Sequence, residues 1–141
     1  MYGLEKTVER LTEFFRDEGP FDGVIAFSQG GIAYRHFHRI TQEIDPQTVQ
    51  LPHFLITVAS PVFPMAFQYK EEQYAQRFTP QFSFPSIHLY GTKDEYGIKN
   101  QRIQELFTAE SSSKLLMYED GHRWPRAIGD AEYATLSEFV R

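Results

Sequence analysis

The sequence predicts an α/β domain in which about four parallel strands are flanked by helices, a three-layer α/β/α arrangement. Two observations carry that expectation. Short apolar, β-prone runs alternate with longer segments whose apolar residues recur every three or four positions. Strands separated in this way by helices pair in parallel through right-handed crossovers. A length of 141 residues fits a single domain, long enough to bury roughly two thirds of its unfolded surface.

Leu4, Val8, Leu11, Phe14 and Phe15 follow helical spacing, and Gly19-Pro20 stops that first helix. Phe21–Phe27 reads as an apolar strand. Ile32, Ala33, Phe37, Ile40 and Ile44 then share one face of a second helix. Tyr34, Arg35, His36, His38 and Arg39 in the same helix require a wetter setting than a buried helix offers. Asp45-Pro46 through Pro52 is a loop, and His53–Ala59 a buried strand. Between Ser60 and Phe84 stand three prolines, five phenylalanines and two tyrosines, an irregular excursion with a short helix near Glu71–Phe78. Its aromatic residues read first as core packing and second as an apolar wall for an acyl chain. Strand Ser86–Tyr90 precedes a helix over Ile98–Ala109, with Ile103, Leu106 and Phe107 facing in. Strand Lys114–Tyr118 follows, and a last helix begins at Asp130 and buries Leu136, Phe139 and Val140.

Composition removes several function classes. Fourteen Lys plus Arg against nineteen Asp plus Glu give a net charge of −5 with no basic stripe, so a nucleic-acid partner is not expected. The chain has no cysteine, which excludes disulfides and thiolate chemistry. No apolar run approaches the ~20 residues of a membrane span, and the N-terminus lacks a basic-then-apolar signal. The expected compartment is the cytoplasm or the nucleus.

The chemistry concentrates at Phe27-Ser28-Gln29-Gly30-Gly31. An apolar strand ends on a serine, two glycines follow, and a helix begins. That order describes a nucleophile elbow, a turn so sharp that the hydroxyl stands clear of the backbone. Strand and helix nearly touch there, so the residues two before and two after the serine should be small, as Ala26 and Gly30 are. A serine hydroxyl needs a base to take its proton and a third group to orient that base. Tyr90-Gly91-Thr92-Lys93-Asp94-Glu95 and Tyr118-Glu119-Asp120-Gly121-His122 place an acid and a histidine just past the carboxyl ends of two later strands. Open α/β sheets put their chemistry at that end. Asp94 and Glu95 both qualify as the acid, Asp94 being favoured by the direction of its side chain. His36 and His38 are two apart, a separation that puts them on different faces of a helix, so no metal pair is expected. His53 and His88 read as hydrogen-bonded packing residues.

These segments also carry a family resemblance. Gly19-Pro20-Phe21-Asp22-Gly23-Val24, Phe27-Ser28-Gln29-Gly30-Gly31, Pro85-Ser86-Ile87-His88-Leu89-Tyr90-Gly91-Thr92-Lys93-Asp94-Glu95 and Gly121-His122-Arg123-Trp124-Pro125 resemble the FSH-type serine hydrolases, an α/β-hydrolase family with esterase-like activity. Acyl-protein thioesterases share the Phe-Ser-Gln-Gly-Gly string, but the Gly-Pro-Phe-Asp-Gly lead-in and the Tyr-Gly-x-x-Asp-Glu turn favour the FSH type. The resemblance implies Ser28 as nucleophile, Asp94 as the triad acid, His122 as the base and the Gln29 amide as one oxyanion donor, with no cofactor and no metal. It implies a small-molecule acyl ester or thioester as substrate. Ala26 replaces the family's usual glycine. Met1-Tyr2-Gly3-Leu4 aligns with the helix that precedes the nucleophile strand, so the expectation is a single, N-terminally truncated α/β-hydrolase domain over residues 1–141. Two outcomes follow from that expectation, an active ester or thioester hydrolase, or a catalytically impaired domain serving as an interaction module. In both, the nucleophile strand should lie at a sheet edge open to self-association.

Overall fold

A computed structural model of the chain describes residues 3–44, 46–62 and 82–141. The expected helix near Glu71–Phe78, and most of the aromatic excursion around it, lie outside these residues. In chain order the elements are α1 (Leu4–Glu18), β1 (Gly23–Phe27), α2 (Gln29–Ile44), β2 (Phe54–Val58), β3 (Ser86–Gly91), α3 (Gly97–Gln101), β4 (Lys114–Tyr118) and α4 (Asp130–Phe139). The sheet runs β1-β2-β3-β4, every neighbouring pair parallel. Parallel neighbours need a crossover at each step, which α2 supplies between β1 and β2 and α3 with its 3-10 continuation between β3 and β4.

Strand pleating sends alternate side chains to opposite faces, and a separate apolar cluster fills each. On one face Val24, Ala26 and Leu55 meet Phe15 of α1 and Phe37 of α2, together with Ile103 and Leu106. On the other, Ile56, Val58, Ile87 and Leu89 lie beneath Leu136 and Phe139 of α4. The coverage of that second face reaches Phe27 at the end of β1 but not Ile25. Ile25 at the sheet edge is 63% exposed, as the position of the nucleophile strand led us to expect.

Several expectations change. The helix predicted over Ile98–Ala109 is a single α-turn, α3, continued by a 3-10 helix over Arg102–Leu106 and a second over Ala109–Ser111. Its backbone leaves the helix because Phe82 claims it: Phe82 N–H donates to Leu106 O at 3.0 Å and Thr108 N–H to Phe82 O at 2.8 Å. Ile103, Leu106 and Phe107 still face inward. Val140 lies past the end of α4 and is exposed, whereas Leu136 and Phe139 pack on the sheet. Phe14 is half exposed and stacks on Phe21, 5.3 Å between ring centroids. His53 precedes β2 and is exposed, so it is no packing residue.

The largest correction concerns α2. Tyr34, Arg35, His36 and His38 are buried, not wetted. A helical wheel counts one apolar face and cannot see what covers the others: Phe15 of α1 lies 4.9 Å from Phe37 on the expected face and also 6.1 Å from Tyr34 beyond it, between ring centroids. Arg35 is 1% exposed and donates to Ser60 Oγ and Pro61 O, both at 3.0 Å. Burial away from water lowers its affinity for the proton to a pKa of about 9. His38 packs 4.3 Å from Phe84. His88, as expected, is a hydrogen-bonded core residue: Thr57 Oγ1 lies 2.7 Å from its Nδ1, Ser86 Oγ lies 3.0 Å from its Nε2, and Ser86 donates onward to Ser113 Oγ at 3.1 Å. With the Ser86 hydroxyl proton committed to Ser113, the imidazole Nε2–H donates to Ser86, and the ring is neutral.

Burial holds His36 and His38 down at about 4 and His88 at about 3, with the Arg35 charge adding to the effect at His36 and His88. The unfolded chain therefore takes up protons below the ordinary histidine value of 6.5 while the folded protein refuses them. Stability is fullest above that value and falls as pH drops through it, each histidine contributing up to about 1.4 kcal/mol per pH unit. Urea titrations between pH 7.5 and 5 should show the loss, and His88→Gln should make the slope shallower. A stability independent of pH over this range would contradict the burial of these rings.

Candidate active site

The site is built where β1 hands over to α2. Ser28 has φ 49°, a left-handed backbone that a residue with a Cβ adopts at a cost of order 1–3 kcal/mol. Its N–H still donates to Val58 O at 2.8 Å, so the strand edge grips the residue while its side chain leaves the sheet. Gly31 N–H returns to Ser28 O at 3.1 Å and closes the first turn of α2. The requirement for small residues falls differently from the expectation. A Cβ on Gly30 would meet nothing within 4 Å, whereas one on Gly31 would strike Ser60 Oγ. Close approach occurs one residue later, where α2 meets the segment after β2 at Ser60. On the strand side Ala26 is buried, in agreement with the sequence reading.

Asp94 lies in the turn after β3 and His122 in the loop after β4. The two loops are stitched together, Thr92 N–H to Tyr118 O and Lys93 N–H to Asp120 O, both at 2.9 Å. Gly91 permits the seam, since any Cβ there would collide with the Asp120 carbonyl. Tyr118 donates its hydroxyl to Arg123 O at 2.7 Å and ties down the far side of the His122 loop. Burial, then the nearby Asp94 and Asp120 carboxylates, push the Tyr118 phenol up to about 12, so it remains a neutral donor.

These elements bring Ser28, His122 and Asp94 into one hydrogen-bonded row. Ser28 Oγ is 2.8 Å from His122 Nε2, and His122 Nδ1 is 2.9 Å from Asp94 Oδ2. A carboxylate only accepts, so Nδ1 carries the ring proton and the Nε2 lone pair faces the serine hydroxyl. The Asp94 side chain is fully buried and that of His122 is 26% exposed, an arrangement that shields the acid and leaves the imidazole reachable. Tyr96 N–H donates to Asp94 Oδ1 and Asn100 Nδ2 to Asp94 Oδ2, each at 2.8 Å. Glu95 points to solvent and is not in the row. Gln29 opens α2, where backbone N–H groups lack acceptors within the helix. Phe27 and Tyr96 flank the His122 ring at 5.5 and 5.2 Å, and Trp124 stacks on Phe27. Sequence reasoning missed Gly31, Asn100 and the Tyr96 amide. None carries a periodic signal, and each matters only through what folding places beside it. Among the described residues, no group of three His, Asp or Glu is placed to hold a metal ion. No described helix is long and apolar enough to cross a membrane.

A parallel sheet with a left-handed serine at a strand end, hydrogen-bonded to a histidine that in turn meets an aspartate, both carried just past later strands, has the architecture of α/β serine hydrolases. The chain belongs to the family described as Serine hydrolase (FSH1), which it matches over residues 1–132. Esterase OVCA2 of Xenopus tropicalis is 30% identical over 125 residues, 87% of this chain and 50% of that protein. The human Esterase OVCA2 is 31% identical over 125 residues, 89% of this chain and 52% of that one. Family of serine hydrolases 3 of Saccharomyces cerevisiae is 29% identical over 129 residues, covering 87% and 46%. The chain thus spans about half the length of these relatives. Among solved structures, the type II thioesterase BorB from the borrelidin biosynthetic cluster shares the fold, with a TM-score of 0.62 at 14% identity over 84% of this chain and 62% of that one.

The contrast between the two glycines is measurable. Gly31→Ala should cost about 1–3 kcal/mol, because Ser60 must move and its bond to Arg35 must loosen. Gly30→Ala should be neutral or stabilising by up to about 1 kcal/mol, as alanine favours the helix. Denaturant midpoints of the two variants check this, and equal losses would return the close approach to Gly30.

Proposed function

We propose that the protein hydrolyses carboxylic esters or thioesters of small-molecule acyl substrates through an acyl-enzyme on Ser28. The observation that carries this reading is the continuous row Ser28–His122–Asp94. Ser28 Oγ attacks the acyl carbon as His122 Nε2 takes the hydroxyl proton, and Asp94 stabilises the imidazolium that forms. The carbonyl oxygen becomes an oxyanion that accepts from Gln29 N–H. Collapse breaks the bond to the leaving oxygen or sulfur, which takes the proton from His122. Water then gives a proton to His122 and attacks the acyl-serine, releasing the carboxylic acid and restoring Ser28. The same sequence cleaves esters and thioesters, since both present an acyl carbon and a leaving atom that His122 can protonate. The printed name of the OVCA2 relatives supports an esterase.

A second reading is favoured by one feature. The β1 edge carries no partner strand among the described residues, and Ile25 beside it is 63% exposed. An open edge with an apolar neighbour supports self-association and a domain that turns over poorly or acts as an interaction module. Light scattering decides on the association: the protein should show a dimer or larger species that Ile25→Lys returns to monomer. A monomer at all concentrations would remove the self-association reading.

A fluorophosphonate probe should label Ser28, and the label should be lost in Ser28→Ala and fall sharply in His122→Ala. Ester turnover should fall by on the order of 10⁶ in kcat without Ser28. Activity should decline on the acid side, because protonated His122 accepts nothing from Ser28. A folded protein whose Ser28 stays unmodified would end the hydrolase reading.

A further inference from the structure

The Asp94 carboxylate is held at both oxygens from a single turn of chain. Tyr96 N–H takes Oδ1, while Oδ2 accepts two donors, His122 Nδ1–H at 2.9 Å and Asn100 Nδ2 at 2.8 Å. Asn100 sits in α3 and is 2% exposed. Its own Oδ1 is buried and has no hydrogen-bond partner among the described residues. A buried amide oxygen left unsatisfied is destabilising, and a leucine of similar size would fill the same space without it. An asparagine kept at such a position calls for a reason on its donor side, and that side ends on the oxygen that orients His122.

We propose that Asn100 is a positioning residue of the Ser28–His122–Asp94 site, fixing the Asp94 carboxylate plane so that the remaining lone pair of Oδ2 meets His122 Nδ1–H. The inference rests on the hydrolase reading for its consequence in turnover. Without Asn100 only Tyr96 N–H on Oδ1 holds the carboxylate apart from His122 itself, and the group can rotate about its last side-chain torsion. The Asn100 dipole also shares the negative charge on Oδ2, so its loss leaves more of that charge for the imidazole. The groups facing this pair are few. The Tyr118 phenol from β4 feels Asp94 and stays neutral below about 12, and Asp120 follows β4 in the same loop. The Tyr96 ring meets the edge of His122, and Ser28 faces its other nitrogen. Among them Asn100 is the neutral side chain that donates to Asp94 itself.

The experiment compares wild type with Asn100→Leu and Asn100→Ala in ester turnover, thermal unfolding and an NMR titration of the His122 ring. In Asn100→Leu, kcat should fall about 10–100-fold with KM unchanged, the usual effect of removing an outer partner of a reacting group. The thermal midpoint should stay level or rise, and the His122 titration should move to higher pH. Asn100→Ala should repeat the loss of kcat and the His122 shift even if its cavity lowers the midpoint. Wild-type kcat together with an unmoved His122 titration in either variant would overturn the proposal. So would a loss of activity that simply tracks the unfolded fraction. The NMR titration needs no substrate. If wild type neither takes the probe nor turns over an ester, the hydrolase reading fails while the His122 shift still decides whether Asn100 positions the row.

Discussion

The left-handed backbone at Ser28 is the constraint on which the site depends. A residue with a Cβ keeps φ 49° only if its surroundings fix it from several sides. Val58 O holds its amide, Gly31 folds back on its carbonyl, and α2 is buried from Gly31 to His38. Below the turn, Gly31 rests against Ser60, and Ser60 in turn accepts from the buried Arg35. The serine hydroxyl is therefore presented by a rigid base rather than by a loop. That suits a group that must lie within hydrogen-bond reach of an imidazole.

The opposite half of the site solves a different problem, holding two loops in register. Backbone bonds from Thr92 and Lys93 to Tyr118 and Asp120 extend the β3–β4 pairing past the strands themselves. They carry Asp94 and His122 outward as one unit, and the bare Cα of Gly91 lets the chains come that close. The separation between acid and imidazole is thus set by main-chain hydrogen bonds, which tolerate little drift.

Around this site the protein buries several polar and titratable side chains. Arg35, His36, His38 and His88 all lie within the sheet-and-helix sandwich, and each histidine is held neutral by the absence of water. The hydrogen bonds from Thr57 to His88, from His88 to Ser86, and from Arg35 to Ser60 and Pro61, tie strands and helix to one another in fixed directions that apolar contacts alone would not impose. The sandwich is specified by these contacts as well as by its apolar clusters.

Much of this was legible in the sequence because it is local. The boundary from Phe27 to Gln29, the positions of Asp94 and His122 just past strand ends, and strand Lys114–Tyr118 depend on periodicity and turn chemistry within a few residues. Which neighbour approaches is decided elsewhere in the chain. The step from Gly30 to Gly31 depends on Ser60, twenty-nine residues further on, and the burial of Tyr34, Arg35 and His38 depends on Phe15, Ser60 and Phe84. The early end of α3 depends on Phe82 competing for the backbone of Leu106 and Thr108. Asn100 acquires a role only when the turn after β3 folds it onto Asp94. The sequence by itself determined the parallel α/β order and the three side chains of the row, since both follow from hydrophobic period and strand ends. The tertiary structure decided which small residue, which buried arginine and which amide support the site, because those depend on distances of a few ångströms between segments remote in sequence.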